Sequence, residues 1–180
     1  MKIGLTGGIA CGKSLLSSFL RELGAETLDA DDVVHELIPA EERRRLAAQV
    51  FRDPVARKAL EARIHPLVKA RIRAWLEAPE AARSLRIAVI PLLFECKWER
   101  EFDIICCVTS ARERQVSRMM TTRGYTREEA ENRLKAQLPV AEKAEKSHYV
   151  IANDGSAESL RQAACGFMEW LKRERQKHGR

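Results

Sequence analysis

Cysteine is scarce in this sequence and carries no pattern. The five cysteines (Cys11, Cys96, Cys106, Cys107 and Cys165) form no C-x-x-C pair and stand at no metal-ligand spacing with the four histidines, which excludes a zinc module or a disulfide scaffold and leaves reduced thiols. Aromatic residues make up only 6% of the chain and do not interleave with basic ones, so the net charge of +6 does not describe a nucleic-acid surface. Dispersed arginines suit small anionic substrates instead. No apolar run approaches the ~18 residues of a membrane span, and the N-terminus lacks the basic-then-apolar order of a signal peptide. A cytoplasmic protein with no membrane or nucleic-acid partner is expected. There are no internal repeats, no low-complexity tracts and no N-K-x-D segment, the usual mark of GTP specificity.

What is abundant is local. The stretch GLTGGIACGKSLL, Gly4 to Leu16, holds four glycines, which would weaken any helix or strand containing them, so it needs backbone freedom more than regular structure. Gly7, Gly12, Lys13 and Ser14 fit G-x-x-x-x-G-K-[ST], the phosphate-cradling loop of nucleotide-binding proteins. Lys2 to Thr6 reads as a short buried strand before it. Leu15, Leu16, Phe19, Leu20 and Leu23 recur at helical spacing after it, with Gly24 placed to end the helix. In that setting backbone N–H groups and the positive helix end would surround a β-phosphate. Lys13 would add a charge near the γ-phosphate, and Ser14 Oγ would ligate Mg²⁺. A chance glycine-rich turn with an exposed lysine has no need of such flanks.

The 180 residues, 45% hydrophobic and 32% charged, suit a single domain with a real core. Four further strands are expected at Glu26–Leu28, Arg86–Phe94, Phe102–Val108 and His148–Ile151. With helical patterns between them, this predicts an α/β fold: a parallel sheet of about five strands flanked by helices, of the P-loop type. Residues 1–31, 85–117 and 141–180 would form the core. Residues 32–84 contain no strand pattern and read as a helical substrate-side subdomain, with Asp53-Pro54 and His65-Pro66 each starting a helix, the second reaching about Leu76. A helix at Ala111–Thr121 carries Arg112, Arg114 and Arg118. The Arg123-Gly124 turn follows, then a capping box at Thr126 and Glu129. Residues 118–140 therefore read as a helical lid over phosphates, or more plainly as a solvated helical hairpin.

Phosphoryl transfer needs charge neutralised on the γ-phosphate, an in-line hydroxyl and an acceptor for its proton. Lys13, Mg²⁺ and Arg118 can supply the first. Asp31 lies just past a strand expected beside the first, where its carboxylate reaches the crevice at the strands' carboxyl ends. Asp29 and Asp32 stand nearby as water-mediated Mg²⁺ ligands or helix caps. Glu95, at the expected end of a buried strand, needs a counter-ion or water there. Size and an arginine-bearing lid point to a small-metabolite kinase using ATP.

The chain resembles the dephospho-CoA kinase family over most of its length. The resemblance rests on IGLTGGIACGKS at 3–14, LDADDVV at 28–34, VFRDPVARKALEARIHPLV at 50–68, IPLLFE at 90–95, QLP at 137–139 and YVIANDGS at 149–156. It implies ATP-dependent phosphorylation of the ribose 3′-hydroxyl of dephospho-CoA, the last step of coenzyme A synthesis; a monomer is expected, with an oligomer as the alternative. It places the base on Asp31 and catalytic cations on Lys13 and Arg118. ATP contacts would come from Gly8, Ile9, Ala10, Cys11, Gly12, Lys13, Ser14 and Leu15, with Arg118, Asn153 and Gly155. The acceptor side would use Asp31, Arg43, His65, Pro66 and Leu92, and Ser14 would hold the metal. Another small-metabolite or nucleotide P-loop kinase, and a nucleotide-binding regulator without transfer activity, are the alternatives.

Three departures from the family pattern stand out. Ile38 to Glu42 bridges a gap the family fills with a longer segment, which bears on the acceptor grip and not on the nucleotide site. The family's second lid arginine aligns with Thr122, whose neighbour Arg123 could reach the same phosphates. In the loop Ala10 replaces a common glycine and Leu15 a common threonine. Cys11, at a helix N-terminus, is either a packed thiol or one with a lowered pKa.

Overall fold

The five residues Ile3–Gly7 are all buried, as a strand covered on both faces requires. This is β1, at the centre of a sheet in the computed structural model, which describes residues 1–39, 41–42, 53–79 and 84–178. The chain continues through α1 (Lys13–Glu22), β2 (Ala25–Asp29), α2 (Ala30–Leu37), α3 (Pro54–Glu77), β3 (Leu85–Val89), β4 (Ile104–Thr109), α4 (Arg112–Arg123), α5 (Arg127–Lys135), α6 (Val140–Glu145), β5 (Tyr149–Ala152) and α7 (Ala157–His178). The strand order is β2-β3-β1-β4-β5 and every pairing is parallel. No helix among the described residues is long and apolar enough to cross a membrane.

Alternation along the strands sends residues to two cores. Ile3, Leu5, Ile87, Val89, Ile104, Cys106 and Val108 pack with Leu16 and Leu20 of α1 and with Leu160, Phe167 and Leu171 of α7. Ala88 and Ile105 face the other way, against Val33 of α2 and Ile64, Val68, Ile72 and Leu76 of α3. The strand order reverses around β1, which opens a crevice at the strands' carboxyl ends, the usual ligand position in open α/β sheets.

Two expectations are corrected here. The third strand stops at Val89 and does not run to Phe94. Ile90 N–H still donates to Leu5 O at 2.8 Å, but Pro91 has no N–H with which to continue the ladder. The chain then winds into turns closed by Cys96 N to Leu92 O, Lys97 N to Phe94 O and Trp98 N to Leu93 O. Leu93 and Phe94 are apolar because that turn is buried, not because it is a strand. Nor does His65-Pro66 start a helix: α3 runs through it, with Pro66 in its interior. Ile64, Val68, Ile72 and Leu76, spaced by four, are all buried along one stripe, and that stripe outweighs the lost backbone donor.

Candidate active site

The phosphate loop connects β1 to α1 through backbone that side chains resist. Gly7 has φ 145° and Gly12 φ 93°. A Cβ on Gly7 would collide with the Val108 carbonyl, and one on Gly12 with the Asn153 amide, so both positions require glycine. Ala10 adopts a left-handed φ of 56°, which explains why glycine also suits that place. Helix α1 begins with no side-chain cap and no acidic residue in its first turn. Its first N–H groups are left for an anion.

Several elements deliver charged groups to this loop. Lys13 Nζ lies back on the loop, donating to Gly8 O at 2.8 Å and Gly7 O at 3.1 Å. Burial pushes its ammonium below the usual lysine range, and the charge of Lys143 acts in the same sense. Arg118, half-buried on α4, donates to Asn153 O at 2.9 Å, Ala10 O at 3.2 Å and Ser110 Oγ at 3.3 Å. Its planar fork is thus held in one orientation, with N–H groups to spare. Buried Asn153, just after β5, donates from Nδ2 to Cys11 O at 2.8 Å and clamps the loop from below.

The two aspartates of the D-A-D segment separate by role. Asp29 ends β2 and caps α2, accepting the Asp31 N–H at 2.9 Å. Burial, followed by the charges of Asp31 and Asp32, raises its carboxyl above the usual range against the pull of that hydrogen bond and of Lys13. Asp31 is exposed, and its carboxylate makes no hydrogen bond or ion pair among the described residues. Capping, which would have explained Asp31 without chemistry, belongs to Asp29.

Asp29 and Asp31 line a cleft of about 520 Å³ together with Lys13, Ser14, Arg118 and Asn153. Ile9, Ala10, Gly12, Leu15 and Gly155 line it as well. On the lid side it is bordered by Thr122 and Arg123. Thr122 Oγ1 donates to Arg118 O at 2.6 Å, whereas the Arg123 side chain has no hydrogen bond or ion pair among the described residues. The lid helices are laced by Arg112 with Glu131 and by Arg127 with Glu113. The capping box at Thr126 and Glu129 starts α5. Asp154 Oδ1 accepts from Ala111 N at 2.7 Å and Ser110 Oγ at 2.8 Å, so the loop after β5 supplies the cap that α4 lacks.

Other candidates stand apart. Cys11 is fully buried, and burial raises its thiol above the usual range, so it is a packed thiol and not an activated one. Gly8 borders a neighbouring pocket of about 180 Å³ behind the loop. His65, Pro66 and Leu92 do not line the cleft. His65 Nδ1 sits 3.9 Å from Cys96 Sγ, with its ring edge-on to Trp98. Arg43 lies outside the described residues. Glu95 sits in the turn after β3, 2.7 Å from Lys143 Nζ. Sequence reading missed Lys143, a fully buried lysine: nothing in VAEKAEK marks it off from its solvated neighbour Lys146.

The chain matches the dephospho-CoA kinase family over residues 1–42 and 40–159, the match breaking at the short connection after α2. The dephospho-CoA kinase of Symbiobacterium thermophilum is 38% identical, covering 91% of this chain and 81% of its own. The crystal structure of a Thermus thermophilus protein aligns with a TM-score of 0.76 at 36% identity, covering 95% of this chain and 97% of that one. Shikimate kinase from Acinetobacter baumannii, at 19% identity, aligns with a TM-score of 0.60 over 96% of this chain and 93% of its own. That likeness is one of fold.

Proposed function

This chain belongs to the dephospho-CoA kinase family, and from that premise we propose that it transfers the γ-phosphoryl group of ATP to the ribose 3′-hydroxyl of dephospho-CoA, releasing ADP and coenzyme A in the cytoplasm. The observation that carries this reading is the convergence of Lys13, Arg118 and the unpaired carboxylate of Asp31 on one cleft at the carboxyl ends of the strands.

The triphosphate lies along the loop, with its β-phosphate at the first turn of α1. Lys13 exchanges the carbonyls of Gly7 and Gly8 for phosphate oxygens, which stabilises charge on the transferring group. Arg118 presents its spare N–H groups to the same phosphates, and the lid, residues 118–140, brings Arg123 over them. Asp31 accepts the proton of the 3′-hydroxyl as its oxygen bonds to the γ-phosphorus and the bond to the bridging oxygen of ADP breaks. His65, Pro66 and Leu92 of the acceptor side, with Arg43, hold the CoA moiety away from the reacting atoms.

Mg²⁺ fits the donors present. Ser14 offers a hydroxyl oxygen in the cleft and the aspartates offer hard oxygens for its waters. No group of three or more His, Cys, Asp or Glu among the described residues could hold a metal, so the ion would arrive with the nucleotide. It would neutralise charge on the β- and γ-phosphates.

A coupled ADP-release assay tests the reading. ATP, Mg²⁺ and dephospho-CoA should give ADP well above the rate of ATP hydrolysis, and shikimate, gluconate and nucleoside monophosphates should not. Turnover with one of those acceptors overturns the substrate assignment. ATP binding without transfer to any of them overturns the enzymatic reading in favour of a regulator.

A further inference from the structure

Lys143 is an ammonium with 0% exposure, 2.7 Å from Glu95 Oε1, and its Nζ also donates to Pro91 O at 2.9 Å. The same Glu95 oxygen accepts the Leu138 N–H at 3.1 Å. The same Pro91 carbonyl accepts Thr6 Oγ1 at 3.3 Å, one residue before the phosphate loop begins. One continuous polar chain therefore runs from Leu138 through Glu95, Lys143 and Pro91 to Thr6.

Its ends are informative. Gln137–Pro139 is the connection through which the lid helices α4 and α5 rejoin the core at α6, and Gln137 lines the cleft. Pro91 lines it from another side and opens the turn that carries Leu92, Glu95 and Cys96, the last in contact with His65. We propose that Glu95 and Lys143 are positioning residues that tie the lid's hinge to the acceptor-side turn, so that closure over ATP is transmitted to the acceptor side. This deepens the kinase reading and rests on it for the identity of the two sides.

Stability alone is a poor reason for such a pair. Only Lys143 is buried, the Glu95 side chain keeping 23% of its surface exposed; an ion pair with a buried member is often no more stable than apolar residues of the same volume, although leaving the buried charge without its partner is destabilising. Here each polar contact of the pair ends on a segment bordering the cleft. The double replacement Glu95→Gln with Lys143→Met separates the two roles: it leaves no buried charge, keeps the bulk and retains an amide oxygen for Leu138.

The test is backbone hydrogen exchange with a non-hydrolysable ATP analogue alone, which needs no acceptor. In the parent the analogue should slow exchange at Leu138 and also at Cys96, Lys97 and Trp98, whose N–H groups close the acceptor-side turn. In the double variant, provided it melts within a few degrees of the parent, protection should stop at the hinge. The KM for dephospho-CoA should then rise about tenfold, a typical coupling for residues that touch neither ligand. Lys143→Arg should recover part of both effects, and Lys143→Met alone should lose fold stability. A parent that shows no protection at 96–98, or a folded double variant that keeps it, overturns the proposal. Absence of ADP release with dephospho-CoA would instead overturn the substrate assignment, and leaves the exchange result to stand or fail separately.

Discussion

Removing the side chain of Asn153 should weaken the phosphate loop from beneath. Asn153→Ala leaves the buried Cys11 carbonyl without the amide that donates to it at 2.8 Å. An orphaned buried acceptor costs about 1–3 kcal/mol, and the vacated space beside Gly12 adds about 1 kcal/mol, at the low end for large-to-small changes. The total of about 2–4 kcal/mol corresponds to a fall in Tm of roughly 4–16 °C for a chain of this size. The backbone bonds of Asn153 to Thr109, Ser110 and Arg118 do not depend on its side chain, so β5 should stay in place. Differential scanning calorimetry gives the stability change, and KM for ATP should rise with it while kcat at saturation changes less. Asn153→Asp sharpens the test. A carboxylate facing the Cys11 carbonyl is repelled, so its folded pKa rises above the unfolded one, and the deficit against the parent should shrink as pH falls through that window. A Tm within 2 °C of the parent would refute the clamp and leave Asn153 as a ligand contact only.

Three further outcomes are expected. Asp31→Asn should lower kcat much more than it weakens ATP binding, read by steady-state kinetics beside a nucleotide titration; lost affinity at normal kcat would make Asp31 a binding residue. Asp29→Asn keeps the cap, because asparagine caps as well as aspartate, but removes a carboxylate whose pKa the fold raises. The parent is penalised above that raised pKa and not below the unfolded value near 3.8, so the variant should melt higher at pH 7 and lose its advantage in acid; the reverse pH trend would contradict the assigned environment. Arg123→Ala should reduce kcat/KM for ATP, and Thr122→Arg in that background should restore part of it, because both positions border the cleft; zero coupling in the double-mutant cycle would retire Arg123 as a phosphate contact.

What the sequence made legible is what backbone geometry dictates. The spacing of Gly7, Gly12, Lys13 and Ser14 demands a particular loop, and the structure forms it with positive φ at both glycines. The centre of the parallel sheet was legible for a related reason: β1 and β4, buried on both faces, leave short apolar runs. Burial of a polar group left no such trace. Lys143 reads as one more surface charge, and Glu95 as a strand-end carboxylate whose partner the sequence does not name, because their pairing depends on α6 meeting the turn after β3, a contact between distant segments. Pro66 misled because proline is a local signal, while the stripe Ile64, Val68, Ile72 and Leu76 is satisfied only in the assembled core. Asn153 could be placed in its motif, but its grip on Cys11 spans 142 positions and is invisible to local reading.

The central claim is that this cleft moves a phosphoryl group from ATP to the 3′-hydroxyl of dephospho-CoA, with Lys13 stabilising the group in transit. The most direct measurement is product analysis by ³¹P NMR and mass spectrometry after incubation with ATP, Mg²⁺ and dephospho-CoA, run in parallel on the parent and on Lys13→Met. The parent should convert dephospho-CoA to a product phosphorylated at the 3′ position, with one ADP formed for each. Lys13→Met should do so at least ~10²-fold more slowly, the scale of losing a preorganised electrostatic contact. Unchanged dephospho-CoA with the parent, or a Lys13→Met rate within a few-fold of it, would contradict the account.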